Sequence, residues 1–186
     1  MLENFIKKYD LLDQDFCDEI VLNHKNAPWQ EHIWKGGEGY EEAETKKLDP
    51  SILYMDHAYG DTVFKRLSEK ITDYFKETTE SGHALIRGFT PPRFNLYLPD
   101  QRMEKHIDHI HSIFDGSIRG IPILSIITLV NDEYEGGEFC FNLCGKEVEY
   151  EIKKGQCLIW PSVFLYPHYV KPVTSGKRQS FVVWAY

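Results

Sequence analysis

No run of 18 or more apolar residues occurs in this 186-residue chain, so nothing in it reads as a membrane-spanning helix. There is no basic block either. Asp and Glu number 29 against 21 Lys and Arg, a net charge of −8, which argues against a nucleic-acid backbone as the main partner. Cysteine is scarce: Cys17, Cys140, Cys144 and Cys157 are irregularly spaced. Cys140 and Cys144 could begin a zinc site, but no second Cys/His pair follows at zinc-finger spacing, which favours reduced thiols in or near strands. Internal repeats, low-complexity tracts and linker-like stretches are absent. No Ser or Cys sits in a nucleophile elbow. Gly136-Gly137 lacks a surrounding phosphate-loop pattern and reads as a strand-linking turn. Residues 1–8 carry no apolar leader or cleavage site, so a soluble, cytoplasmic protein is expected.

What is present is an ordinary globular composition, 42% hydrophobic and 27% charged, at a length that suits one domain over residues 1–186. Such a domain buries roughly 70% of the surface its unfolded chain exposes, enough for a core without staples. Residues 13–24 form a modest apolar stripe, with Asp13 or Asp15 available as a cap. Over residues 61–78, Val63, Leu67, Ile71, Tyr74 and Phe75 fall on one helical face, with Asp61 as candidate cap. Residues 35–50 are rich in Gly and charge and predict a surface loop.

After Gly82 the pattern changes to short strands: 84–89, 93–98, 104–110, 123–130, 138–142, 147–152, 156–160, 165–171 and 178–185. Glu147, Glu149 and Glu151 alternate with Val148, Tyr150 and Ile152, as on a strand with one wet face. Residues 123–130 are apolar on both faces and predict a central strand covered twice. A helical part over about 1–82 followed by strands over about 83–186 implies a mainly β fold, a sandwich or jelly roll braced by helices.

His106-Ile107-Asp108 is the one place where a His is followed two residues later by an acid, and on a strand those two side chains share a face. Alone, the pattern is as consistent with a solvated strand. His168, sixty residues after Asp108, could complete two imidazoles and one carboxylate on one face of a metal, the ligand set of non-heme Fe(II) oxygenases. Ten residues further, Arg178 begins the last strand on one face with Ser180, Val182 and Trp184, placed to clamp a carboxylate through paired hydrogen bonds.

Residues 93–186 resemble the catalytic core of the Fe(II)/2-oxoglutarate-dependent dioxygenases, in particular the prolyl 4-hydroxylase-like group. The resemblance runs through the Tyr97 strand, His106-x-Asp108, the strand from Leu124 to Asn131, Glu135-Gly136-Gly137-Glu138-Phe139 and Lys154-Gly155-Gln156-Cys157-Leu158-Ile159-Trp160-Pro161-Ser162. It continues through His168-x-Val170-x-Pro172-Val173-Thr174-x-Gly176-x-Arg178 to Trp184. It implies a cupin-like double-stranded β-helix, with His106, Asp108 and His168 as iron ligands and catalytic centre. Arg178 is implied to hold the distal carboxylate of 2-oxoglutarate. Tyr97 falls at a position of co-substrate contact, although a core aromatic role stays open, as does a packing role for Trp184. The implied small molecules are Fe(II), 2-oxoglutarate, O2 and ascorbate. The implied reaction is hydroxylation with release of succinate and CO2.

Where relatives carry a co-substrate tyrosine, this chain has Leu129. His109 and His111 read as outer-sheet or substrate-side residues, and His24, His32, His57 and His83 lack an acid at useful spacing. The mouth is expected from the 35–50 loop, residues 112–121, Tyr134, Phe164 and Tyr166. The leading expectation is a monomeric or homodimeric enzyme acting on prolyl residues of a protein or peptide. A free amino acid or another small molecule is the alternative substrate, and a non-catalytic cupin-like metal- or ligand-binding module is the rival from another class.

Overall fold

The computed structural model describes residues 1–32, 50–55, 57–79, 86–108 and 122–186. The expected loop up to residue 49, His83, His109, His111 and residues 112–121 lie outside the described residues, as does the start of the 84–89 strand. Helix α1 (Gln14–His24) begins as expected, with the Phe16 amide donating to Asp13 Oδ1 at 2.9 Å. Helix α2 (His57–Thr78) starts a turn earlier than Asp61 would cap it. The reason is tertiary: in that first turn the Tyr59 hydroxyl donates to Glu19 of α1 at 3.0 Å, and its ring meets Phe16.

The strands are β1 (Lys7–Asp10), β2 (Gln30–Glu31), β3 (Ser51–Tyr54), β4 (Arg93–Tyr97), β5 (Met103–His106), β6 (Leu124–Leu129) and β7 (Tyr134–Gly136). They continue with β8 (Phe139–Leu143), β9 (Lys146–Tyr150), β10 (Gln156–Pro161), β11 (His168–Val170), β12 (Val173–Gly176) and β13 (Arg178–Ala185). A major sheet has the order β1-β10-β6-β13-β4-β3-β2, a minor sheet the order β5-β11-β8-β9, and β12 pairs with β7. Every pairing among the described strands is antiparallel, as a mainly β jelly roll requires. The N-terminal third is not purely helical, because β1 to β3 extend the major sheet at both edges. Lys7-Lys8-Tyr9-Asp10 has no strand signature of its own; pairing with β10 makes it one.

Period-two alternation sends neighbouring residues to two cores. Leu124, Ile126, Phe94, Ile159, Phe181 and Val183 face outward and meet Ile20 of α1 and Val63, Leu67 and Ile71 of α2. Ile127, Tyr97, Leu158 and Trp160 face inward and meet Phe139, Phe141 and Val170 of the minor sheet. Burying each such aliphatic side chain contributes about 1.5–3 kcal/mol. β6 is buried along its whole length, as a strand covered on both faces should be. Among the described residues no helix is long and apolar enough to cross a membrane.

Candidate metal centre

Between the two sheets lies the side-chain group His106, Asp108 and His168, whose donor atoms all fall within 4.8 Å of one another. His106 and His168 are 62 positions apart in the chain but direct cross-strand partners of β5 and β11, so their imidazoles share a face, ring centroids 4.3 Å apart. A register shift makes this possible. His168 pairs with His106 and Val170 with Met103, so three steps along β5 match two along β11. Met103 packs in the inner core; an unbulged strand would turn a residue three positions on to the opposite face, and the bulge restores it. β5 ends at His106, so Asp108 lies just beyond the strand rather than within the expected 104–110 run.

Both rings are held from behind. His106 Nδ1 lies 2.8 Å from the Glu104 carbonyl and His168 Nδ1 lies 3.0 Å from that of Tyr166. A ring N–H donating to a carbonyl leaves Nε2 with its lone pair, and both Nε2 atoms point to Asp108, at 3.6 Å from Oδ1 and Oδ2 respectively. Phe139 stacks on the His168 ring at 5.5 Å and Trp160 meets it edge-on at 5.0 Å.

Burial, reinforced by the neighbouring His168, pushes the His106 imidazole down to about 4, the neutral form a metal needs. For Asp108, burial alone would raise the carboxyl. His168 and His106, with smaller help from the Ser125 and Trp184 side chains, outweigh it and hold the group below its ordinary value. Asp108 Oδ2 is nevertheless buried without a hydrogen-bond partner. Two imidazole nitrogens, a carboxylate with an orphaned oxygen, and separations too long for hydrogen bonds fit a divalent cation that all three would share.

Arg178, 1% exposed, lies on the same inner face. Its Nη1 donates to Ser180 Oγ at 2.9 Å, its Nε is buried without a partner, and its guanidinium carbon stands 5.2 Å from the Tyr97 ring centroid. Tyr97 is its cross-strand partner. A cavity of about 130 Å³ opens beside Arg178, walled by Tyr134, Phe139 and Tyr150; His106, Asp108 and His168 do not line it, but Phe139 stacks on His168. Leu129 faces Ser180 across β13, an aliphatic wall where a hydroxyl was sought.

Several residues read differently from the sequence expectation. Tyr166 is not at a mouth: it is 3% exposed and its hydroxyl donates to the Leu2 carbonyl at 3.2 Å, whereas Phe164 is 73% exposed. His24 is a satisfied core histidine, its Nδ1 2.7 Å from the Ile20 carbonyl. All four cysteines are free. Sequence reading overlooked Ser125 and Ser162, whose hydroxyl oxygens lie 2.5 Å apart in full burial beneath Asp108. The signal for Ser125 was a hydroxyl, one of two with Thr128, interrupting the apolar 123–130 run. It also overlooked Arg93, one of three polar residues, with Asn95 and Tyr97, alternating along the inner face of β4.

A sequence profile described as the 2OG-Fe(II) oxygenase superfamily matches residues 92–186. A PKHD-type hydroxylase of Shewanella sp. (strain MR-7) is 33% identical over 102 residues, 54% of this chain and 45% of that protein. The chain thus spans about half the length of that relative. A PKHD-type hydroxylase of Prochlorococcus marinus (strain MIT 9312) is 29% identical over 173 residues, covering 90% of this chain and 72% of that one. Among solved structures, a Pseudomonas putida prolyl-4-hydroxylase superposes with a TM-score of 0.69 at 16% identity, over 97% of this chain and 91% of that one. A Trichoplax adhaerens prolyl hydroxylase, solved in complex with a peptide fragment of the hypoxia inducible factor oxygen degradation domain, gives 0.70 at 17% identity, over 98% and 84%. These structures share the fold. With the profile match extending over half the chain and ending on the strand that carries Arg178, the chain belongs to the 2OG-Fe(II) oxygenase superfamily.

Proposed function

We propose that the protein is an Fe(II)- and 2-oxoglutarate-dependent dioxygenase that hydroxylates prolyl residues of a protein or peptide, with residues 1–186 acting as one catalytic domain. The observation that carries this is the pair of imidazoles whose Nδ1 atoms are tied to carbonyls while both Nε2 atoms converge on Asp108. His106, Asp108 and His168 hold Fe(II) in this reading, and Arg178 with Tyr97 holds the distal carboxylate of 2-oxoglutarate. Bound there, iron supplies the coupling of 2-oxoglutarate decarboxylation by O2 to insertion of one oxygen atom into a substrate C–H bond, leaving succinate and CO2. The protein's part is placement. The carbonyls of Glu104 and Tyr166 fix the two rings, the Phe139 and Trp160 faces exclude water from His168, and Ser180 orients the Arg178 fork. A buried guanidinium with an unused Nε has no purpose in a merely structural metal site, which weighs against a non-catalytic module. The prolyl assignment is supported by the names of the relatives and by the fold shared with prolyl hydroxylases.

Incubation with Fe(II), 2-oxoglutarate, O2 and a panel of proline-containing peptides, free proline and other amino acids should give succinate in step with a product heavier by one oxygen. Succinate coupled only to non-prolyl substrates would reject the prolyl assignment and leave the cofactor chemistry intact. No substrate-coupled succinate from any of them would reject the dioxygenase reading.

Gly137 offers a second check. With φ +67, it stands where a Cβ would come within 2.7 Å of Arg178 Cδ. Gly137→Ala therefore strains the backbone or displaces the Arg178 stem, at about 1–3 kcal/mol. The expected result is an apparent KM for 2-oxoglutarate raised by about three- to tenfold, read from succinate formation, with metal affinity unchanged.

A further inference from the structure

Arg178 is not the only guanidinium on the inner face of the major sheet. Arg93 lies on β4 four residues before Tyr97, the cross-strand partner of Arg178, and so about 13 Å along the sheet at the usual strand rise. Its guanidinium carbon stands 5.2 Å from the Trp184 ring centroid, and Trp184 in turn contributes a side-chain hydrogen bond to Asp108. Arg93 thus borders the metal centre on the side away from Arg178. Its Nε is buried with no hydrogen-bond partner, and no carboxylate among the described residues forms an ion pair with it. Asp108 is close enough to act on it electrostatically but is turned toward His106 and His168. Two positions along the same face, Asn95 is 3% exposed and its Oδ1 is likewise buried without a partner. An arginine stays protonated even where burial lowers its pKa, as here, so this is a permanent cation with no carboxylate paired to it among the described residues.

Arg93 is half-buried, and a guanidinium whose Nε is withdrawn from water without a partner costs free energy unless something completes it. Within one inner face the fold keeps two guanidiniums, at opposite ends, and the reading above assigns an anion to only one of them. We propose that Arg93 binds a carboxylate of the substrate beside the metal centre, so that the substrate class is one carrying a carboxylate close to the carbon that is hydroxylated. Asn95 Oδ1 then accepts a hydrogen bond from an N–H of the same substrate. Three sources share this chemistry: the C-terminal carboxylate of a peptide ending in the target residue, an acidic side chain flanking it, or the carboxylate of a free amino acid. The inference rests on the dioxygenase reading and narrows it.

The test is calorimetric binding to the enzyme loaded with Fe(II) and 2-oxoglutarate under anaerobic conditions, which needs no turnover. The ligands are a peptide ending in proline as its free acid and as its amide, a peptide with internal proline flanked by Glu or by Gln, and free proline. Variants are Arg93→Met, which keeps the stem over Trp184, and Arg93→Lys, which keeps the charge. Removing the ligand carboxylate or the Arg93 guanidinium should each weaken binding at least about tenfold, and doing both should cost little more than either alone. The acid–amide and Glu–Gln pairs identify the source. Arg93→Lys should recover part of the loss. Affinity for 2-oxoglutarate should stay within about twofold in both variants. Equal weakening of acid and amide ligands by Arg93→Met, or a loss confined to 2-oxoglutarate, overturns the proposal. So does wild-type binding that ignores the carboxylate in every pair. Failure of the wild-type enzyme to bind 2-oxoglutarate at all would instead reject the reading beneath it.

Discussion

Asp108→Ala is expected to abolish metal-dependent chemistry while leaving the fold intact. The carboxylate is the one acidic donor between two imidazoles, and its Oδ2 has no hydrogen-bond partner. Residues that only support a ligand typically cost 10–100-fold in metal affinity or activity when changed, so loss of the ligand itself should exceed about 100-fold. The metal-free protein should lose only part of its stability, because the histidines that hold the carboxyl below its ordinary value make its ionised form favour the folded state at neutral pH. Thermal unfolding separates the two effects. In the wild-type protein, metal at a hundred times its dissociation constant should add about 2.7 kcal/mol. In Asp108→Ala that increment should vanish while the metal-free protein still unfolds cooperatively, at a Tm equal to or somewhat below that of the metal-free wild type. The weak visible absorption formed anaerobically with Fe(II) and 2-oxoglutarate should vanish with it. Succinate production at the wild-type rate by this variant would remove Asp108 from the centre.

Arg178→Met should dissociate co-substrate binding from metal binding. Methionine retains much of the buried stem against Gly137, Val173 and Tyr97, so packing changes less than with alanine. It deletes the donors for a distal carboxylate, and charged hydrogen bonds contribute about 1.5–3 kcal/mol each. Apparent affinity for 2-oxoglutarate should fall at least about tenfold, and up to several hundredfold if both arms of the fork engage. The metal-induced rise in Tm should be unchanged, because Arg178 touches none of the three donor residues. Unchanged dependence of rate on 2-oxoglutarate would mean that another cation holds the distal carboxylate; Arg93 would be the first to examine.

The sequence alone determined whatever depends on short-range periodicity or on fixed spacing. The α1 cap at Asp13, the apolar face from Val63 to Phe75, the doubly buried β6 and the span of β13 were all legible, because each is written in side-chain pattern within one element. Five residues were legible as candidates for the site, through the short His106-x-Asp108 spacing and the resemblance that added His168, Arg178 and Tyr97; the structure brings the first three together and pairs the last two across strands. Tertiary structure decided the rest. Lys7–Asp10 becomes a strand only because β10 offers it an unpaired edge, and polar residues at a sheet edge carry no alternation to read. The aim of His106 depends on a bulge opposite β11, which no residue of β5 announces. Ser125 and Trp184 come to Asp108 from two different strands, Ser162 reaches Ser125 from beyond a third, and Arg93 meets Trp184 across 91 positions of chain. Which polar group ends up buried without a partner is a property of packing between sheets, where distance in sequence has no bearing on distance in space.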